Sequence, residues 1–467
     1  MSTTASAAGL EVRSPYDGAL ISTLEAPDAD AVQRAVAGAA AAAPAMAALT
    51  ADERSELLYA ASQRIAERTD ELAVTIAREA GKPIREARAE ASRAKYVFRW
   101  AAEETKRIAG EWLPLDTEAG LGRRGGLVRR FPVGPLLAVA PFNFPLNLVA
   151  HKLAPALAAG NPVIVKPSTR TPLSAVGLAE AVSAGGDWPE GAITVLAVGG
   201  EITSRVAGDP RIAAISFTGS DRVGWELKAA NPKKKITLEL GGNSAVIVEP
   251  DADLEFALAR LVFGAFAYAG QVCLSTQRIL VADEIYDEFV ARYVAGVQAL
   301  VVGDPLDEST DVGPMITADA AGRVQEWVDE ARDMGATVQC GGSRTEALFS
   351  PTVLTELPHG ARCWGEEIFG PVVSISRYGD FDEALALANG TRYGLQAAVF
   401  TQSLDTAMRA HETIRAGGII VNDAPFYRAV QMPYGGLGDS GHGREGVTAA
   451  IREMTEPRLL VIPLPGR

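Results

Sequence analysis

Between residues 135 and 240 the runs LLAVA, PVIVK, AITVL, AAISF and KKITLE alternate with stretches of helical character at 145–159, 172–184, 201–207 and 220–230. Strands that alternate with helices need crossover connections, and crossovers impose a parallel sheet covered on both faces. That architecture suits a nucleotide, although no GxGxxG follows the first strand, so the usual dinucleotide fingerprint is missing. After Gly241 a second alternation starts, with SAVIV, a helix from about 253 to 269, a loop carrying Cys273, RILVA, a helix from 284 to 300, and further units to about 420. The fold class is therefore α/β, with two such domains in series.

Size and charge narrow the partners. A chain of 467 residues with 48% apolar content fills two or three domains. A net charge of -14 opposes binding to nucleic acid or to an acidic membrane surface, either of which needs a basic footprint. Three cysteines, Cys273, Cys340 and Cys363, give no disulfide framework and fit a reducing, cytoplasmic setting. The N-terminal MSTTASAAGLEV lacks a basic n-region and an unbroken apolar core, and Pro135, Pro141 and Pro145 interrupt the most apolar run, at 133–150, so no membrane span is expected.

The remaining segments read as scaffold. Ala-rich 35–49 belongs to a helical pattern begun by Asp28 and Asp30, and from 51 to 107 apolar residues such as Leu57, Leu58, Ile65, Leu72 and Ile76 recur near helical spacing, interrupted by the stop at Gly81-Lys82-Pro83, as packing helices. Residues 108–131 lose that period and look like an extended excursion. The C-terminal RLLVIPL reads as a strand with no partner in its own stretch, and an unpaired edge asks for one.

Chemistry centres on Cys273, in GQVCLSTQR at 270–278. A cysteine attacks a carbonyl as thiolate, so it needs a lowered pKa or a base. Taken singly, it is an ordinary small buried residue. Its company changes that reading: LELGG brings Glu239, PFNFP brings Asn143 and GEEIFGP brings Glu367.

At these residues the chain resembles the aldehyde dehydrogenase superfamily, from about residue 11 to the end. The most specific stretches are APFNFPLNLVAHKLAPALAAGNPVIVKPS (140–168), FTGS (217–220), LELGGNSAVIV (238–248), EEIFGPV (366–372) and MPYGGLGDSGHGREG (432–446). In motif it is nearest to the lactaldehyde and glyceraldehyde-type members. The resemblance implies a Rossmann-like NAD(P)-binding domain over 1–110 and 131–240, a catalytic domain over 241–435, and an oligomerisation element over 111–130 and 436–467. It also pairs the C-terminal strand across subunits, hence a homodimer or homotetramer.

The same resemblance assigns roles. Cys273 adds to an aldehyde to give a thiohemiacetal and then a thioester, with the Asn143 amide and the Cys273 N–H holding the oxyanion. Glu239 activates the hydrolytic water and Lys152 lies near it. Relatives that pass the acyl group to coenzyme A generally lack an acid at the position of Glu239. Cofactor contacts fall to Pro141, Phe142, Lys166, Ser168, Thr169, Gly219, Ser220, Leu240, Glu367 and Phe369. Many NAD-preferring relatives carry a glutamate where Thr169 stands, followed here by Arg170, so NADP should at least be tolerated beside NAD. Asn147, His151, Val272, Leu274 and Arg428 would line the substrate pocket, and His151 with Arg428 suggests a small hydroxylated or anionic aldehyde. Each residue also has a plain structural role open to it: Glu239 capping a turn, Lys152 solvated on a helix, Phe369 in a core, Arg428 on the surface. The signature departs from the family's usual form at Gly438, where a lysine is usual. A semialdehyde-type or acylating enzyme with another acceptor, and a non-catalytic protein on the same fold, remain as alternatives.

Overall fold

The structure, a computed structural model, describes residues 9–120 and 122–465. The readings made on residues 1–8, 121 and 466–467 lie outside the described residues.

The predicted alternation forms a six-stranded sheet. Its spatial order is Gly441–His442, Lys235–Glu239, Ala214–Thr218, Leu136–Val139, Val163–Lys166, Ile193–Val195. All pairings are parallel except that of Gly441–His442, which lies antiparallel against Glu239 and Leu238. Alternate side chains enter opposite cores, Leu136 and Ala138 on one face and Leu137 and Val139 on the other. The first face is covered by the helices Ala51–Glu67, Ile84–Thr105 and Asn147–Ala159. Ile84–Thr105 turns Ala87, Ala91, Ala94, Val97, Phe98 and Ala101 inward at three- and four-residue spacing, the stripe an amphipathic helix needs. Leu136–Val139 is the first strand of the sheet in sequence, and successive strands are laid on either side of it. This makes it the topological switch point, where open α/β sheets bind ligands beyond their strands' carboxyl ends.

A seven-stranded sheet follows, in the order Thr337–Cys340, Thr352–Thr355, Val372–Tyr378, Thr276–Ala282, Ser244–Val248, Gln396–Phe400, Gly418–Val421. Only Thr337–Cys340 runs antiparallel. Between Glu239 and Ser244 the chain passes directly from the carboxyl end of one sheet to the amino end of the other. The junction between the two sheets therefore gathers the loops that carry chemistry.

The excursion at 108–131 becomes the strands Glu111–Pro114 and Arg124–Pro132. The C-terminal strand Thr455–Pro463, with no partner in its own stretch, pairs antiparallel with the distant Arg124–Pro132 over its whole length. Its other edge has no strand beside it among the described residues, and Leu459, Leu460 and Val461 are exposed. The stretch expected to serve only oligomerisation, 436–467, contributes to the main body of the fold. Gly441–His442 joins the cofactor-side sheet, and the helix Val447–Glu453 packs on Asn147–Ala159 and Ile84–Thr105. Among the described residues no single helix is long and apolar enough to cross a membrane, and no cluster of metal-ligating side chains occurs.

Candidate active site

Cys273 is presented by a turn of unusual backbone. Tyr268 (φ 48°), Ala269 (φ 51°) and Gly270 (φ 66°) are consecutive left-handed residues, and for residues with a Cβ this costs about 1–2 kcal/mol each. At Gly270 a Cβ would lie 2.1 Å from the Gly370 carbonyl oxygen, so no other residue fits. Surrounding contacts over-determine the strained turn. Tyr268 Oη donates to the Ala80 carbonyl at 2.7 Å, its N–H donates to Glu86 at 3.3 Å, and Gln271 accepts from the Ile316 N–H at 2.8 Å.

Three of the expected catalytic residues converge here. Cys273 Sγ lies 3.2 Å from Tyr434 Oη, and Tyr434 Oη donates to Glu239 Oε1 at 3.0 Å. Asn143 Nδ2 donates to the Gln271 carbonyl at 2.9 Å, two residues before the thiol, while its Oδ1 is buried without a partner. Gly242 packs so closely that a Cβ there would meet the Cys273 carbonyl at 2.3 Å. Burial, then the charge of Glu239, pushes the Cys273 thiol well above its ordinary pKa, so it rests protonated. Glu239, 1% exposed, is pushed up to about 7, by burial first and then by Glu445.

Lys152 is not a solvated helix lysine. Fully buried, it pairs with Glu445 and donates to Thr218 at 2.7 Å and Ser216 at 3.1 Å. Burial alone would raise Glu445, but Lys152 and Arg428 outweigh it and hold this carboxyl below the usual range. Arg428 is not on the surface either. Its side chain is 9% exposed, its guanidinium stacks 3.8 Å over the Tyr434 ring, and it stands 3.6 Å from Glu445. Nε and Nη2 make no hydrogen bond. His151 is 1% exposed with both ring nitrogens unpartnered, and Asn147 leaves its Oδ1 free. Burial, then the charges of Arg428, Arg93 and Lys152, depresses the imidazole well below its ordinary pKa and keeps it neutral. Val272 and Leu274, flanking the thiol, are buried in the apolar cluster that also holds Val149, Leu153 and Tyr434.

Comparison with known proteins decides what this arrangement is. The model of the aldehyde dehydrogenase family matches residues 2–460. The chain belongs to the aldehyde dehydrogenase family. It is 45% identical over 413 residues to the 3-sulfolactaldehyde dehydrogenase of Priestia aryabhattai, covering 88% of this chain and 86% of the other. A crystal structure of aldehyde dehydrogenase 21 from Physcomitrella patens, in complex with the reaction product succinate, superposes with a TM-score of 0.96 at 43% identity, covering 97% and 95% of the two chains. A glyceraldehyde-3-phosphate dehydrogenase from Methanocaldococcus jannaschii, complexed with NADP, gives 0.94 at 38% identity, covering 98% and 99%. Membership makes this chain an NAD(P)-dependent aldehyde dehydrogenase.

The dehydrogenase has the parts a dinucleotide needs, set at the carboxyl ends of the six-stranded sheet. Lys166 ends its strand with no partner among the described residues, its pKa lowered by burial. Ser168 accepts from the Arg170 N–H at 3.1 Å, forming a turn that leaves Thr169 half-buried and Arg170 exposed. Ser220, after Gly219, begins the helix Asp221–Ala230 without a side-chain capping bond, so its hydroxyl and the first-turn amides suit a pyrophosphate. Glu367 accepts from the Gly242 N–H at 3.0 Å, and burial pushes it up to about 8. Phe369 (φ 48°) meets Phe142 edge to face at 5.8 Å, with both rings and Pro141 partly exposed rather than sealed in a core. Leu240 differs, since its side chain is packed in the core against Gly224. NAD(P) therefore fits the residues present.

Sequence reasoning missed Tyr434, Glu445 and Arg93. The first two stand inside the quoted MPYGGLGDSGHGREG, where a buried-prone phenol and an acid next to Arg444 were the available signal. Arg93, which donates to the Arg428 carbonyl and lines a groove of about 740 Å³ with Trp100, Arg428 and Gln431, lay in a helix read only as packing.

Proposed function

We propose that this enzyme oxidises a small anionic aldehyde to its free acid, and that Arg428 reads the anion. The observation that carries this is a nearly buried guanidinium whose Nε and Nη2 make no hydrogen bond, with Glu445 at 3.6 Å as its counter-charge, stacked on the tyrosine that touches the thiol. A buried cation with open donors costs free energy until something accepts them. Neutral His151 and Asn147 Oδ1 add a donor and acceptors suited to a hydroxyl on the same substrate. Support also comes from the relatives, two named for sulfolactaldehyde and glyceraldehyde-3-phosphate and a third solved in complex with its reaction product succinate.

In this reading Cys273 Sγ adds to the aldehyde carbon, with Asn143 Nδ2 and the Cys273 N–H turned on the developing oxyanion. Bound NAD(P) supplies the hydride acceptor. Glu239 then takes a proton from water attacking the thioester, and its position beside the thiol favours release of an acid over transfer to another acceptor. Lys166, Thr169 and Arg170, with no acidic neighbour at 169, leave room for the 2'-phosphate of NADP as well as for NAD. A cytoplasmic setting belongs to the same proposal, resting on three unpaired cysteines.

The test follows reduced-cofactor absorbance with glyceraldehyde-3-phosphate, succinic semialdehyde, lactaldehyde and propionaldehyde, using NAD and NADP in turn. Charge-assisted hydrogen bonds of about 1.5–3 kcal/mol predict a ten- to hundredfold preference in kcat/KM for the anionic compounds over propionaldehyde. Arg428→Gln should erase most of that preference. An unchanged ranking in Arg428→Gln would overturn the assignment.

A further inference from the structure

We propose that Tyr434 is the proton bridge of the enzyme, carrying the thiol proton of Cys273 to Glu239 as the sulfur attacks. The inference rests on the reading of Cys273 as nucleophile and Glu239 as base. It starts from a difficulty in that reading: the sulfur sits where a free thiolate is disfavoured. The groups facing Cys273 are Glu239, Glu367 and Tyr434, two of them acids, and no cation pairs with it among the described residues. Its proton must therefore leave in step with carbon–sulfur bond formation, and it needs a path.

Tyr434 Oη is placed to be that path, 3.2 Å from Sγ and 3.0 Å from Glu239 Oε1. The ring cannot swing away. Its backbone exchanges two hydrogen bonds with Glu445, at 3.0 Å and 2.6 Å, and Arg428 lies flat on its face at 3.8 Å. Tyr434 is 3% exposed, so water does not compete for the hydroxyl. A phenol both donates and accepts, so the resting order is S–H to Oη and O–H to carboxylate. On attack the Sγ–H bond breaks and a new Oη–H bond forms. The former Oη–H bond breaks and Oε1–H forms, while the sulfur electron pair joins the aldehyde carbon and the carbonyl π pair moves onto its oxygen as the oxyanion. Tyrosine ends as it began, Glu239 is neutral and gives this proton up to solvent before it serves the hydrolytic water, and Arg428 over the ring steadies the passing negative charge. Glu239 also faces the sulfur directly, and it is itself faced by Glu445, Arg428 and Lys152, so the experiment must separate a bridged route from a direct one.

Tyr434→Phe keeps the ring beneath Arg428 and removes only the hydroxyl. Iodoacetamide modification of Cys273 is followed from pH 6 to 10 by mass spectrometry of its own peptide, because Cys340 and Cys363 are also free thiols. A thermal melt checks folding of each variant. The bridge predicts that Tyr434→Phe reacts at least tenfold more slowly than wild type near pH 7.5 and converges with it at pH 10, where hydroxide removes the proton. Glu239→Gln should lose the same low-pH reactivity, and the double variant should be no slower than either single one. An unchanged profile, a uniform loss at every pH, or additive losses would each overturn the proposal. Cys273→Ser separates the two levels: retained turnover removes the nucleophile assignment itself, whereas a dead variant beside a normal Tyr434→Phe profile removes only the bridge.

Discussion

Glu239 is held at a pKa of about 7 against an ordinary 4.5, and the sign of its linkage to folding follows. Below pH 4.5 the carboxyl is protonated in both folded and unfolded chains, and it contributes nothing. Between about 4.5 and 7 the unfolded chain has lost the proton that the folded one keeps, so stability falls as pH rises, and above 7 the loss is complete. Glu239→Gln should therefore melt at a higher temperature than wild type at pH 8, with the gap closing by pH 4.5. Calorimetry across that range checks it, and a gap independent of pH would count against the buried acid. The identity of Glu239, Asn143 and Cys273 as a set was legible in the sequence because each sits in a distinctive short motif. The burial of Lys152 and Arg428 was not, because a lone cation on a helix or loop carries no mark of what covers it.

Among elements, the segment Gly81-Lys82-Pro83 shows how much a local reading leaves out. Its glycine does end a helix, taking φ 69° at the cap. Its lysine, however, is fully buried, paired with Glu90 and lying 3.6 Å over the Phe144 ring and 4.6 Å over that of Tyr268. Glu90 in turn accepts from the Leu146 and Asn147 N–H groups, capping the helix Asn147–Ala159. One ion pair thus clamps the Asn143 loop against the left-handed turn that presents the thiol. Lys82→Met leaves Glu90 buried and unpaired, which costs about 3–5 kcal/mol. Denaturant titration should register that loss, and turnover should fall with it although Lys82 touches no substrate. The helices and strands themselves were readable, since apolar spacing of two or three to four residues survives in any short window. The clamp joins residues far apart in sequence, and no window contains it.

At the scale of the whole molecule, the C-terminal strand leaves one edge uncovered among the described residues. Thr455–Pro463 spends one side on Arg124–Pro132, some 325 residues away in sequence, a pairing that only the closed fold can bring about. Leu459, Leu460 and Val461 stay 55%, 57% and 47% exposed, and an apolar edge of this length invites another chain. We expect wild type to sediment as a dimer or tetramer, and Leu460→Glu combined with Val461→Glu to sediment as a smaller species. Identical sedimentation would place the contact elsewhere. The strand's position also bears on catalysis. A single continuous tail runs from Tyr434 through Glu445 and the short strand beside Glu239 to that outer edge, so the phenol beside the thiol and the exposed strand lie on one length of chain. A protease that cuts just ahead of Tyr434 would thus strip the site of its phenol and the sheet of its outer strand in one stroke.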